Sequence, residues 1–210
     1  MAITGFALFG FVVLHMVGNL QIFLGRDVLN GYAAFLKSKP LLVWGARLGL
    51  LALVMFHVWA AIRVTQANRI ARPIAYAVNP PIAASYASRT MPMSGLIVAA
   101  FIVYHLLHFT VGGVDATLLE FKDSAGRHDV YRMVIVGFSK PLVSVFYLVG
   151  MGLLYMHLSH GLSAMFQSLG LKTKATGRWI EHFAKVTALA IFIGNCSIPI
   201  AVMAGILNVK

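Results

Sequence analysis

The chain has 210 residues, of which 60% are hydrophobic and only 11% charged, with a mean hydropathy of +0.83. That is too apolar for a surface facing water and points to a bilayer as the solvent. The formal charge of +11 then reads as attraction to lipid headgroups or a docking face for a partner, rather than as nucleic-acid binding.

In chain order, apolar runs long enough to cross ~30 Å of hydrocarbon at ~1.5 Å per residue fall at about 3–24, 41–64, 93–113, 142–166 and 184–207. They predict an all-α membrane protein, a single transmembrane domain over 1–210 with five helices. The first run is expected to be a retained span, because Met1-Ala2-Ile3-Thr4 lacks a basic region and no small-residue cleavage site follows it. An odd number of spans puts the two ends on opposite faces. The face carrying the N-terminus, here called side A, also receives the connections 65–92 and 167–183; the other two connections and the C-terminus fall on side B. Lys and Arg divide almost evenly between the faces, so the positive-inside bias does not orient the chain. Asp27, Asp115, Glu120, Asp123 and Asp129 fall on side B and only Glu181 on side A, which concentrates the net positive charge on A.

The one cysteine, Cys196, lies in the last run, which excludes a disulfide framework, a covalent haem-attachment motif and an iron–sulfur cluster held by this chain. There is no glycine-rich dinucleotide fingerprint and no phosphate-binding loop on a strand–helix unit.

Six of the eight histidines fall within the spans: His15, His57, His105, His108, His157 and His160. A polar ring in hydrocarbon is costly and marks a functional candidate. His15 and His105 each lie 12 residues into their spans from side A, ~18 Å below that boundary. His57 and His160 lie 7 and 6 residues before the side A ends of theirs, ~9–11 Å below it. Two level pairs, each shared between two helices, are what two planar cofactors ligated axially from both faces require.

An internal repeat points the same way. Thr4-Gly5 precedes His15 as Ser94-Gly95 precedes His105, and Ser38-Lys39-Pro40-Leu41 matches Ser139-Lys140-Pro141-Leu142. Gly49-Leu50-Leu51 stands eight residues before His57, as Gly152-Leu153-Leu154 stands eight before His160. The segments 4–66 and 94–167 read as copies of one helical hairpin, with two extra residues between Pro141 and Gly152. This spacing selects His105 over His108 and His160 over His157.

Four blocks carry a family resemblance: "HMVGNLQIFLG", "FHVWAAIRVTQANRIARP", "SRTMPMSGLIVAAFIVYHLLHFT" and "GFSKPLVSVFYLVGMGLLYMHLSHGLSAMFQSLGL". In that order, over nearly the whole chain, they resemble the cytochrome b membrane anchor of succinate dehydrogenase and fumarate reductase, of the type with one five-helix subunit and two haems. The resemblance implies that four helices form a dihaem-binding bundle. It implies two non-covalent b haems, a flavoprotein subunit and an iron–sulfur subunit on the cytoplasmic face, and electron exchange with membrane quinone, expected to be menaquinone. The chain itself would not act on succinate. Side A would be cytoplasmic in a bacterial or archaeal inner membrane, with His57 and His160 ligating the haem nearer the partners and His15 and His105 the distal one.

Arg63 and Arg47 are the cations within reach of haem propionates, and snorkelling to headgroups is the competing reading. For quinone, which needs an apolar slot with one or two hydrogen-bonding groups, side B offers Asp27, Asn30 and Tyr32, and side A offers Tyr86, Ser88 and Arg89. Interfacial anchoring and loop capping are the competing reading for both sets. Some relatives have an acidic residue two positions before the fourth-helix ligand; here Leu158 stands there, and no carboxylate falls within a predicted span. The alternative function is a dihaem quinol-oxidising subunit of another respiratory complex, of the nitrate reductase or formate dehydrogenase type.

Overall fold

The computed structural model describes residues 1–71 and 89–209. They form seven α-helices: α1 (Ala2–Leu20), α2 (Arg26–Lys37), α3 (Pro40–Ile70), α4 (Met91–Leu106), α5 (Val130–Phe138), α6 (Pro141–Ser168) and α7 (Gly177–Met203). A 3-10 turn, Gln21–Leu24, prolongs α1, and a π turn, Leu107–Val111, prolongs α4. Counting these extensions, five helices are long and apolar enough to cross a membrane: Ala2–Leu24, Pro40–Ile70, Met91–Val111, Pro141–Ser168 and Gly177–Met203. The protein is therefore an all-α, multi-pass membrane protein by helix length and hydropathy.

The starts of α3 and α6 follow from the repeated Ser-Lys-Pro. Pro40 and Pro141 each occupy the first turn, where a missing N–H costs nothing and the fixed φ is already helical. α3 and α7 extend beyond the apolar runs. α3 continues six residues past Val64 over the largely polar Thr65, Gln66, Ala67, Asn68, Arg69 and Ile70, and α7 begins at Gly177, so that Glu181 lies within it and is ion-paired with Lys172 at 2.9 Å.

Helices α1, α3, α4 and α6 form a four-sided bundle in which α1 neighbours α3 and α6, and α4 neighbours α3 and α6. α1 and α4 thus face each other across one diagonal, and α3 and α6 across the other. α7 lies along α6 and also touches α1. The approach to α1 depends on Gly194, where a Cβ would come within 2.5 Å of the Met16 sulfur. α4 and α6 meet at Gly150 in the same way, with the Phe101 ring where a Cβ would be.

Two helices fall where apolar-run length predicts only connections, both on side B. α2 is amphipathic, with Leu29 and Asn30 buried, and follows Gly25, whose φ of 104° suits glycine. α5 is capped by Asp129, whose carboxylate accepts from the Arg132 N–H at 3.1 Å. Its Met133, Val134, Ile135 and Phe138 join the main apolar core.

α2 is held to the 120s loop by a polar clasp. Asp129, fully buried, accepts from Arg26 at 2.8 Å and from the Asn30 amide at 2.9 Å. Asn30 also donates to Asp123 at 3.2 Å and accepts from the Tyr131 N–H at 3.0 Å. Arg127 bridges Asp123 and Asp27, at 2.7 and 2.8 Å. Burial pushes the Asp129 carboxyl up, but the hydrogen bonds from Asn30, the Arg132 N–H and Arg26 outweigh it and hold it below the usual carboxylate range. In Asp123, likewise, burial is outweighed by Arg127 and Asn30.

Candidate functional site

The histidines of the bundle meet across its diagonals. His15 on α1 and His105 on α4 have ring centroids 5.7 Å apart with planes at 86°. His57 on α3 and His157 on α6 have centroids 6.4 Å apart at 70°. Two imidazoles bonded end-on to one metal ion at ~2.0 Å per bond would have centroids ~6 Å apart, so both spacings fit that use.

The two levels are well separated. The His57 ring lies against Gly5, where a Cβ would stand 3.4 Å from its Cε1, and its Nδ1 is 3.0 Å from the Thr4 hydroxyl. The His157 ring lies against Gly95, with the corresponding distance 3.3 Å, and its Nδ1 is 3.4 Å from the Ser94 hydroxyl. Thr4-Gly5 and Ser94-Gly95 therefore make the same contact twice, each receiving a ring from the following span. These dipeptides precede His15 and His105 by ten or eleven residues, which puts the levels ~15 Å apart along the helix axis.

The ring facing His57 is that of His157, not His160. α3 ends at Ile70, 13 residues after His57, and α6 ends at Ser168, 11 residues after His157 but only 8 after His160. Ending α3 at Val64 makes His57 look too shallow and draws the level toward His160. The Pro anchors carry the better signal, with His57 17 residues after Pro40 and His157 16 after Pro141. His160 is half-buried and has no side-chain hydrogen bond among the described residues.

At the deeper level His15 stacks on Phe11, 5.3 Å between centroids. The His105 Nδ1 lies 3.3 Å from the Tyr147 hydroxyl, and the buried His108 places its own Nδ1 3.0 Å from the same oxygen. No cluster of three or more His, Cys, Asp or Glu able to hold a metal occurs among the described residues. At each level only two imidazoles face each other, His108 being turned to the Tyr147 hydroxyl; a facing pair falls short of a tetrahedral zinc site and suits a metal whose other positions are already filled by a macrocycle.

The remaining sequence candidates are placed as follows. Arg63 and Arg47 are exposed, and the Arg47 guanidinium lies 5.1 Å over the Trp44 ring. Asn30 and Asp27 belong to the clasp, where the Asn30 amide and carbonyl are already hydrogen-bonded. Tyr32 closes over Gly18, whose Cβ would stand 3.2 Å from the phenol oxygen, so the space at Gly18 is taken by this side chain. Arg89 is exposed on side A; Tyr86 and Ser88 lie outside the described residues. Tyr147, Thr4 and Ser94 are contacts that spacing alone does not single out as partners of the rings.

The chain matches no protein-family model, no curated protein and no solved structure.

Proposed function

We propose that the protein is the membrane-anchoring dihaem cytochrome b subunit of a succinate:quinone oxidoreductase. The observation that carries this reading is the pair of histidine couples, one on each diagonal of a four-helix bundle and ~15 Å apart in depth. His15 and His105 would hold the deep haem, and His57 and His157 the shallow one, with His157 in the place that sequence spacing gives to His160. Bound there, the haems would supply two one-electron carriers.

The chain's own residues are arranged for that use. Thr4 and Ser94 donate their hydroxyl protons to the Met1 and Met91 carbonyls, so each oxygen accepts from the Nδ1–H of His57 or His157 and leaves the Nε2 lone pair for a metal. Gly5 and Gly95 leave space beside those rings. α3, which carries His57, has no buried residue, and an occupant between it and α6 would supply the packing its inner face lacks.

The partner side is read from charge. Four of the five ion pairs among the described residues lie on side B, where Asp27, Asp115, Asp123 and Asp129 meet Arg26, Arg127 and Lys140. Side B still has nine Lys and Arg against five acids, but side A has eight against one, Glu181, which pairs with Lys172, so the excess of cations is greater on A, at Arg63, Arg69, Arg89, Lys174, Arg178 and Lys185. Such a face suits an acidic docking surface, and we assign it to the cytoplasmic iron–sulfur and flavoprotein subunits. Quinone is the substrate exchanged in the membrane. The test is to isolate the protein from its native membrane, identify the accompanying subunits by mass spectrometry and record a visible spectrum. A flavoprotein and an iron–sulfur protein with a b-type spectrum are expected. A molybdenum-containing partner would favour the nitrate reductase or formate dehydrogenase type, and no haem spectrum would remove both.

A further inference from the structure

We propose that Tyr147 is a positioning residue for the deep site, fixing the tautomer of His105 and relaying that constraint to His108, so that the haem held by His15 and His105 is harder to reduce than it would otherwise be. The inference rests on the dihaem reading and adds to it a residue outside the ligand set.

The tautomers follow from proton counting. If the His105 Nε2 faces across the diagonal with its lone pair, its proton is on Nδ1, and that N–H donates to the Tyr147 oxygen 3.3 Å away. The phenol has a single proton of its own, and the other polar atom beside it is the His108 Nδ1 at 3.0 Å. Tyr147 therefore donates to His108, whose proton is on Nε2. All three groups lie at the deep level, with Tyr147 5% and His108 2% exposed, so water does not compete for these hydrogen bonds.

The backbone is shaped to complete this relay. His108 sits in the π turn Leu107–Val111, an irregularity that often marks a functional position in a helix. Gly137 lets α5 approach the same cluster, since a Cβ there would stand 3.3 Å from the His108 Cε1. The shallow level has aliphatic hydroxyls at its rings instead, so the phenol, and the imidazole hydrogen-bonded to it, distinguish the deep site. A hydrogen bond accepted from a ligand's N–H increases the basicity of the imidazole, which stabilises the oxidised metal. Donation onward to His108 strengthens that acceptance through the chain.

Tyr147 is also surrounded by Phe101, Phe138 and Phe146, so a purely structural role has to be separated. Tyr147→Phe keeps the ring and removes the hydroxyl. The experiment is an optical redox titration of the full chain in its membrane complex, with the deep component identified as the one that His15→Ala removes. Tyr147→Phe is expected to raise the deep midpoint by about tenfold in the reduction equilibrium, ~59 mV for one electron, and to leave the shallow midpoint in place. His108→Leu, which retains the phenol, should raise it by less. Unchanged midpoints in Tyr147→Phe, or equal shifts in both components, would overturn the proposal while leaving the two haems intact. Should Tyr147→Phe retain only the shallow component, His108→Leu decides, and an unshifted deep midpoint there would also overturn it. Absence of haem from the unaltered protein would instead remove the functional reading itself.

Discussion

Three residues along a helix move a side chain ~4.5 Å down the axis and ~60° around it, enough to carry a ring out of one site and into another. His157 and His160 differ by that step, and only His157 faces His57. His57→Ala and His157→Ala should therefore abolish the same component of a reduced-minus-oxidised spectrum, whereas His160→Ala should keep both components. Loss of a component in His160→Ala with none in His157→Ala would restore the pairing read from the Gly-Leu-Leu spacing. Asn30 is the second instructive residue, because its amide and carbonyl are occupied within the clasp. Asp129→Ala would leave the buried Asn30 amide short of an acceptor, and thermal unfolding should report a loss of about 2 kcal/mol. The histidines were legible in the sequence because an imidazole stands out in hydrocarbon. The engagement of Asn30 in the clasp was not, because spacing in a polar connection does not tell a free amide from one already hydrogen-bonded by distant neighbours.

At the scale of elements, the five long helices could be read from apolar length and from the prolines that start α3 and α6. α2 and α5 could not. They are short and amphipathic, and their order comes from contacts distant in sequence, such as Arg26 to Asp129. The polar continuation of α3 past Val64 was missed for the related reason that helix and apolar run need not end together. Close contact between α4 and α6 gives a direct test of packing. Gly150→Ala places a methyl within 2.5 Å of the Phe101 ring and should destabilise the protein by about 1–3 kcal/mol in thermal unfolding. The side B carboxylates give a pH dependence. Hydrogen bonds from Thr117 and Lys140 hold Asp115 down to about 2, and Asp123 and Asp129 are also lowered. Each of these groups binds fewer protons folded than unfolded, so its contribution is complete above ~4 and is lost as pH falls through the folded value. Amide protection over 115–131, taken relative to the intrinsic exchange rate at each pH, should fall on acidification below about pH 4, ahead of protection in α6.

Across the whole molecule, both faces carry more cations than acids, side A with eight against one and side B with nine against five, and four of the side B carboxylates are held in ion pairs beside α2 and α5. The bundle between them carries two histidine couples at two depths. Glu181, close to the side A end of α7 and paired with Lys172, is the one carboxylate in the five long helices among the described residues. If both diagonals hold a haem, as proposed, stoichiometry tests it most directly. A pyridine haemochrome assay on the fully loaded protein, set against the chain concentration from amino-acid analysis, should give two b haems per chain. One haem per chain, or none, would contradict it.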